Sequence, residues 1–345
     1  MYIYVLDTDR KRIGLIDNYV SLIWTTRYYG YGDFELYLPV TSEYLDLLRE
    51  DYYLQTTESD TVMIIEAITI KTDAENGNYL TVSGRSVESL LDRRVVCDRM
   101  NADNMAIETL ANYLVDWNFS NPITNKAERM MEEVAVTSEA KGFSEKITAQ
   151  YFGDNVYESV SELCQSYGYG FRMPLIDGKF TFEMYKGKNR TMSQKDNIPA
   201  VFSPEFENLV NTEYTYNKQN YKNVAFVAGE GEGAARKTVF SGTKTGRERR
   251  EMYVDARDLS SEGVSPQEKY GFMLFSRGRD KLAEMSVTSE YVGEVNNFPE
   301  YCGLGDIVEV ENEFGMKATA RITEIIESYS TSGNTRVPTF DEWSV

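Results

Sequence analysis

Alternating apolar and polar positions predict that the first part of the chain is rich in β-strands. Phe34, Leu36 and Leu38 fall on one face of residues 33–39, which is the two-residue period of a half-buried strand. Further strands are predicted over residues 2–6, 20–27, 62–71 and 79–84. Residues 30–33 and the pair Asn76-Gly77 supply turns between them, and a short helix is predicted over residues 41–50.

The apolar period changes from two to about 3.6 after residue 98. Ile107, Leu110 and Leu114 predict a helix over residues 105–117, with Asp103 or Asn104 as its cap. A second helix is predicted over residues 154–167, and Gly168 ends it. Asp177-Gly178 predicts a hairpin, and the polar residues 187–199 predict an exit loop. This pattern is typical of a small α+β unit.

Strand patterns return after residue 200 and are interrupted by one helix. The predicted strands cover residues 210–216, 223–228, 237–241, 251–255, 286–291, 306–311, 317–326 and 335–340. Ser265 and Pro266 open a helix that is predicted to run to about residue 285. Within residues 306–311, Val308 and Val310 are expected to face a core.

These patterns predict a mainly β protein with α+β insertions, in which two small β-barrel domains flank an α+β domain. The expected boundaries are 1–98 for the first barrel, 99–200 for the α+β domain, and 201–345 for the second barrel, which has a helical insertion at about 258–286. A short internal similarity supports two related barrels, because Gly30-x-Gly32-Asp33 and Gly303-x-Gly305-Asp306 share their spacing.

Composition indicates a globular protein without membrane insertion. Hydrophobic residues make up 41% of the 345 residues, and the mean hydropathy is −0.45. No apolar run approaches the roughly 20 residues that a membrane helix needs. The N-terminus lacks the basic start and apolar stretch of a signal peptide, so we expect synthesis in the cytoplasm.

The charge disfavours nucleic-acid binding. The 55 acidic and 36 basic side chains give a formal charge of −19, which repels phosphate. The one dense basic cluster lies at 247–250, and a solvated turn or strand end explains it.

Residue usage favours a non-enzymatic protein with no metal or cofactor. The absence of histidine excludes Ser-His-Asp and Cys-His nucleophile systems and histidine zinc sites. Cys97, Cys164 and Cys302 form no CxxC pair and are expected to be buried free thiols. The sequence of residues 229–233, Gly-Glu-Gly-Glu-Gly, predicts a flexible loop because glutamates interrupt the phosphate-binding pattern.

Two alternatives stay open at the level of sequence. A peptidoglycan- or glycan-degrading enzyme would use two opposed carboxylates, but no pair stands out among 55 acids. A carbohydrate-binding module would use Trp24, Trp117 and Trp343, with the many tyrosines, to line a sugar-binding face, although such residues more often pack cores and subunit contacts.

Two motifs resemble those of a known family. Tyr31-Gly-Asp-Phe-Glu-Leu-Tyr-Leu-Pro39 resembles the entry motif of siphophage tail hub proteins, also called tail-associated proteins or baseplate hubs, and of the N-terminal structural module of tail-associated lysins. Leu304-Gly-Asp-Ile-Val-Glu-Val310 and Ala320-Arg-Ile-Thr-Glu-Ile325 are similar to the end of that module. The motif positions, expected to be structural, are Tyr31, Gly32, Asp33, Phe34, Leu36, Pro39, Leu304, Gly305, Asp306, Val308, Ile322 and Ile325.

The resemblance implies a homotrimer in the tail tip of a virion, assembled in the host bacterial cytoplasm. Two barrels per subunit would give six similar units, so that a trimer can join the hexameric tail tube. Implied partners are the distal tail protein, other tail-tip or fibre proteins, and the terminus of the tape-measure protein. Contractile and bacteriocin-like particles use similar hubs. Relatives that continue into a peptidase or glycosidase domain differ from this chain, which stops at Val345, so we expect no such activity.

The charge and the resemblance together predict how DNA would pass. Phosphate contacts from Lys and Arg supply most non-specific DNA affinity. An acidic or polar lumen would remove those contacts and let the duplex slide without specific binding. Strand edges could pair between subunits of the ring.

Overall fold

The computed structural model describes residues 1–73, 77–262, 264, 267–295, 298–299, 301–315 and 317–344. No helix among these residues is long and apolar enough to cross a membrane. The mainly β architecture with helical insertions is confirmed, whereas the pairings of the described strands contain no closed barrel. The boundaries at 98 and 200 stay predictions.

Residues 1–98 form two facing sheets around one core. Their elements are β1 (Ile3–Leu6), β2 (Arg12–Ile16), β3 (Ser21–Arg27), β4 (Asp33–Pro39), α1 (Ser42–Leu47), β5 (Tyr53–Thr56), β6 (Val62–Ile64), β7 (Ala67–Asp73) and β8 (Gly77–Arg85). One sheet has the order β2-β1-β5-β6, and the other contains β3-β4-β8-β7. Alternate side chains from both sheets, including Val5, Trp24 and Leu36, are buried between them.

The single strand predicted over 62–71 is wrong, because the chain changes sheets at Ile65 and Glu66. Strand β6 pairs with β5, whereas β7 pairs with β8. Gly84 of β8 permits this crossing, since a Cβ there would collide with the carbonyl oxygen of Ile64. Asn76 of the predicted turn lies outside the described residues, and the paired ends of β7 and β8 agree with the predicted hairpin.

Residues 99–200, the predicted α+β segment, contain both helices and strands. Its elements are β9 (Met100–Ala106), α2 (Ile107–Val115), α3 (Lys126–Arg129), β10 (Val134–Val136), β11 (Lys146–Tyr151), α4 (Val156–Tyr167), β12 (Gly170–Arg172), β13 (Leu175–Ile176) and β14 (Lys179–Tyr185). Asn155 caps α4 by accepting a hydrogen bond from the Glu158 N–H, and Gly168 ends it at φ +70°.

The predicted cap of α2 is wrong. Asp103 and Asn104 belong to β9, and the residue that precedes the helix is Ala106, which makes no side-chain cap. Met105 and Ala106 pair with Ile147 and Lys146 of β11, so the chain enters the helix directly from a strand. Sheet pairing therefore overrides the local capping signal.

The strands of residues 200–344 belong to two different sheets. The elements are β15 (Val201–Phe202), β16 (Val210–Asn217), β17 (Val224–Ala228), β18 (Thr238–Ser241), β19 (Glu251–Asp255), α5 (Gln267–Glu284), β20 (Thr288–Glu294), β21 (Ile307–Glu311), β22 (Lys317–Ser330) and β23 (Gly333–Ser344). Strands β17–β19 form a separate sheet that packs against α5, so the insertion contains three strands as well as the predicted helix. Ser265 and Pro266, the predicted opening of that helix, lie outside the described residues.

One ten-stranded sheet joins the two strand-rich ends of the sequence. Its main path is β16-β20-β23-β22-β3-β4-β8-β7, and β21 and β15 extend from β22. The connection is an antiparallel ladder between β22 and β3, from Glu324 opposite Arg27 to Ser330 opposite Ser21. The first and last segments are therefore held together by backbone hydrogen bonds between strands.

Candidate functional site

A fully buried tyrosine, Tyr28, lies where the three parts of the chain meet. It follows β3, and its backbone N–H donates to the carbonyl of Thr323 in β22 at 2.8 Å. Its hydroxyl donates to the carbonyl of Gly168 at the end of α4 at 3.2 Å, and accepts from the N–H of Gly187 at 3.3 Å. Tyr28 thus ties the ten-stranded sheet to the end of α4 and to the loop that follows β14.

Two glycines leave the space that the Tyr28 ring fills, and a third lets the backbone pack beside it. A Cβ on Gly170 or Gly305 would collide with that ring, and a Cβ on Gly187 would collide with the backbone of Gly305. Gly305 also has a φ of +83°, which disfavours any side chain. The glycine of the second motif is therefore required both by its backbone conformation and by its contact with Tyr28.

A buried ion pair fixes the second motif to the exit loop. Arg190 Nε lies 2.5 Å from Asp306, and their side chains are only 5% and 6% exposed. Asp306 also accepts hydrogen bonds from the N–H groups of Lys188 and Gly303, at 2.6 and 3.1 Å. Arg190 donates further to the carbonyl of Ile198 at 3.2 Å and to that of Tyr301. Both charges therefore have the partners that burial demands.

The first motif makes contacts at the same junction. The ring of Tyr31 lies 4.7 Å from that of Tyr157 in α4, and Asp33 forms an ion pair with Arg27 at 2.6 Å. Gly32 exchanges hydrogen bonds with Ser86, whose hydroxyl accepts from the Gly32 N–H at 2.8 Å.

The remaining motif positions are mostly core residues. Phe34 packs on Trp24, Leu36 is fully buried, and Pro39 ends β4 opposite Tyr79. Val308, Ile322 and Ile325 are buried in the core of the third segment. The role of the twelve motif positions as family determinants stays a prediction.

A cleft of about 360 Å³ opens between the two motifs. Its lining includes Gly30, Gly32, Gly303 and Leu304. The three arginines that reach it are each paired: Arg27 with Asp33 and Glu324, Arg172 with Glu183, and Arg336 with Glu327. Because these guanidinium groups are already neutralised, the cleft does not present a ready anion-binding site.

One acid in the cleft has a perturbed pKa. Glu88 is 6% exposed and accepts a hydrogen bond from the N–H of Met173 at 2.8 Å. Burial raises the pKa of this carboxyl, against the opposing effect of its hydrogen bonds and of Arg172.

A second cleft, of about 100 Å³, lies between α4 and α5. Burial raises the pKa of both Glu162 and Asp280 there, and Lys281 pairs with Glu162 at 3.3 Å. Its volume is well below the roughly 300 Å³ at which ligand pockets begin. These acids therefore support the contact between two helices better than they support glycan hydrolysis.

Among the described residues, no group of three or more Cys, Asp or Glu is arranged to hold a metal. The glycine-rich residues 229–233 lead into a short 3-10 turn, Gly233–Ala235, and then into β18. All three cysteines are free, but the prediction that all are buried is wrong, because Cys97 is partly exposed.

Sequence reasoning missed Tyr28, Arg190 and Glu88. Tyr28 lies in a tyrosine-rich turn that follows a strand, and Arg190 lies in a polar stretch that predicts an exposed loop. The burial of Tyr28 and Arg190 depends on chain segments more than 100 residues away, as in the Arg190 pair with Asp306. No local signal could have identified them.

The whole chain was compared with known families and structures. The family model of the Siphovirus ReqiPepy6 Gp37-like protein matches residues 2–340. No sequence among the curated proteins matches this chain.

Three solved structures of tail proteins share the fold over nearly their whole length. A 43 kDa tail protein of prophage MuSo2 from Shewanella oneidensis has a TM-score of 0.58 at 13% identity, covering 99% of this chain and 98% of its own. A tail protein from Neisseria meningitidis has a TM-score of 0.56 at 13% identity, with coverages of 99% and 96%. Prophage tail protein gp18 from Listeria monocytogenes has a TM-score of 0.56 at 12% identity, with coverages of 100% and 96%.

The fold therefore belongs to the class of phage tail proteins, and the resemblance to siphophage tail-associated proteins is confirmed. The chain is a member of the Siphovirus ReqiPepy6 Gp37-like family.

We expect Asp306→Asn to destabilise the protein strongly. The amide cannot neutralise Arg190, so a buried charge is left without its partner, at a cost of roughly 3–5 kcal/mol in the free energy of unfolding. The exposed pair of Asp9 and Lys11 provides the control, and Asp9→Asn should change that free energy by less than about 1 kcal/mol. Urea unfolding of both variants measures these free energies. Equal losses in the two variants would contradict the role of the buried Arg190–Asp306 pair in stability.

We expect Gly305→Ala to be more destabilising than Gly178→Ala. Both glycines have positive φ, but only Gly305 faces the Tyr28 ring, whereas a Cβ on Gly178 would enter open space. The strained backbone costs roughly 1 kcal/mol at either position. The collision with a buried ring should bring the loss at Gly305 to roughly 3 kcal/mol. Indistinguishable melting temperatures would show that the ring tolerates a methyl group.

The Glu88 carboxyl should make stability depend on pH. Its pKa is raised in the folded state, so its contribution to stability is complete below the unfolded pKa and is lost as pH rises through the higher folded pKa. Glu88→Gln cannot ionise, and its free energy of unfolding relative to the wild type should increase from pH 4 to pH 8. Urea titrations at both pH values test this, with the exposed Glu35→Gln as control. The same pH dependence in both variants would refute it.

Proposed function

We propose that this protein is a structural hub of a siphophage tail tip. In this proposal three copies form a ring that adapts the hexameric tail tube to the tip and surrounds the path of the ejected DNA. The protein acts by assembly and has no enzymatic activity. Its location is the tail tip of the virion.

The observation that carries this proposal is the ten-stranded sheet that joins the two ends of the chain. Strands β3 and β22 bring the sandwich of the first segment beside the core of the third segment. Each copy then offers two β modules side by side, related by the Gly-x-Gly-Asp similarity. Three copies offer six modules, which matches a sixfold tube. The two barrels of this proposal would be such modules.

The junction around Tyr28 supports a structural role. Its polar groups hold chain segments together. The Tyr28 hydroxyl bonds to the backbone of Gly168, Arg190 pairs with Asp306, and the arginines of the cleft are paired with carboxylates. A hub that transmits load between a tube and a tip needs modules that do not move independently. Fully paired buried charges are suited to that rigidity.

The charge supports passage of DNA without binding. With 55 acidic and 36 basic side chains, the chain has few cations to spare for phosphate contacts. An acidic or polar lumen is the expected result. The proposed partners are the distal tail protein, tip or fibre proteins, and the terminus of the tape-measure protein.

Native mass spectrometry of the purified chain tests the assembly. We expect a trimer, with three times the 39.5 kDa mass of one chain. An electron-microscopy map of that trimer should display a bore lined by acidic or polar side chains. A monomer at all concentrations, or a bore lined by clustered Arg and Lys, would contradict the proposal.

Two further assays separate the proposal from its alternatives. Clearing of peptidoglycan in a zymogram, lost in a carboxylate variant, would favour an enzyme. Binding of glycans by an isolated monomer would favour a carbohydrate-binding module. A structural hub should do neither.

A further inference from the structure

The three-stranded sheet β18-β17-β19 exposes an aromatic face. Phe226 of β17 lies opposite Phe240 of β18 and opposite Tyr253 of β19, with ring centroids 4.9 and 6.2 Å apart. Phe240 is 50% exposed and Tyr253 is 55% exposed. The other side of this sheet packs against α5 and forms the core. The exposed rings are therefore not required for the core of one subunit, and an exposed apolar patch of this kind is typical of an interaction site.

The aromatic face is also locally basic. Residues 236–257 contain seven basic and three acidic side chains, although the whole chain has a charge of −19. The guanidinium of Arg249 lies 5.0 Å from the centre of the Phe240 ring, and that of Arg236 lies 6.0 Å from the Tyr253 ring. In the described part of the chain, Lys237 and Arg247 have no carboxylate partner. Aromatic residues with arginine are the composition enriched in protein interfaces.

The ring geometry favours a protein partner over a sugar. The Phe226 plane is tilted by 34° and 50° from those of Phe240 and Tyr253, so the rings do not form one flat platform. The guanidinium groups of Arg249 and Arg236 already stack on two of the rings. A sugar would need those ring faces to be free.

A groove of opposite charge lies elsewhere on the same subunit. It has a volume of about 420 Å³ beside β15, β21 and β22, and its rim carries Glu205, Glu309 and Glu311. Met192 and Phe206 line it and are 63% and 62% exposed. One cation, Lys317, reaches the groove and pairs with Glu311 at 3.0 Å. We call this surface the acidic groove.

We propose that the aromatic face of one copy docks into the acidic groove of a second copy. The two surfaces are complementary in charge, and each exposes apolar side chains that association would bury. They share no residue and belong to different sheets, so each copy can use both at once. A contact between two different surfaces is head-to-tail, and such contacts form a ring when the rotation between successive copies closes, here after three copies.

This inference rests on the proposed ring and specifies one of its contacts. It also explains why an acidic chain keeps one basic segment. If that segment is covered by a neighbouring copy, its cations are removed from the DNA path, where they would bind phosphate.

A charge swap provides the test. Lys237→Glu, Lys244→Glu and Arg247→Glu together change residues 236–257 from seven basic and three acidic side chains to four and six, which reverses the sign of the aromatic face. Glu205→Lys with Glu309→Lys reverses the sign of the acidic groove. Each of these two variants should lose the trimer in native mass spectrometry. The chain that carries all five changes should regain it, because every contact then pairs an acidic face with a basic groove.

Lys126→Glu with Ile123→Ser is the matched control, since both residues are exposed and belong to neither surface. This variant should remain a trimer. Circular dichroism of every variant identifies any that fail to fold. Phe240→Ser is a second, uncharged variant that should weaken the trimer at least tenfold in dissociation constant.

The outcomes separate the two proposals. A wild-type trimer that survives both reversals, or a five-site variant that stays monomeric while folded, would overturn the docking and leave the proposed hub intact. A wild-type monomer would refute both. Reversals that abolish retention of duplex DNA or of a glycan, while the trimer persists, would assign the aromatic face to that ligand and also overturn the docking.

Discussion

The burial of one tyrosine at the meeting point of three chain segments is the constraint on which this architecture depends. The Tyr28 ring fills the space that Gly170 and Gly305 leave, and its hydroxyl bonds to backbone groups at the end of α4 and in the exit loop. A tyrosine suits this place because its ring buries a large apolar area while its hydroxyl satisfies polar groups that would otherwise lack partners. The sheets and the α+β unit are therefore oriented by a single contact centre.

The sequence predicts most elements of this fold, because one-sided burial leaves a periodic signal. Phe34, Leu36 and Leu38 alternate as expected and are all buried, and Asn155 and Gly168 delimit α4 by local chemistry. The failures occur where a distant strand decides the outcome. Asp103 and Asn104 look like helix caps but lie inside β9, at the irregular step of its ladder with β11. The strand at 62–71 breaks because its two halves find partners in different sheets.

The candidate site could be predicted only in part, for a related reason. Gly305 and Asp306 stand out as a turn motif, but their partners Tyr28 and Arg190 are far away in sequence. Arg190 is an instructive example, since its polar neighbours predict an exposed loop. Its burial becomes tolerable only because Asp306 and two backbone carbonyls satisfy the guanidinium.

The distribution of charge links this junction to assembly. Inside the subunit, cations are used locally: Arg27, Arg172, Arg190 and Arg336 all pair with carboxylates at or beside the junction. Acidic side chains outnumber the remaining cations, so the surface is expected to be negative over most of its area. In the proposed assembly, the locally basic aromatic face of one copy is attracted by the acidic groove of another. The general excess of acid would keep DNA from adhering to the lumen and would make copies repel one another in other orientations, so that the basic segment selects a single orientation.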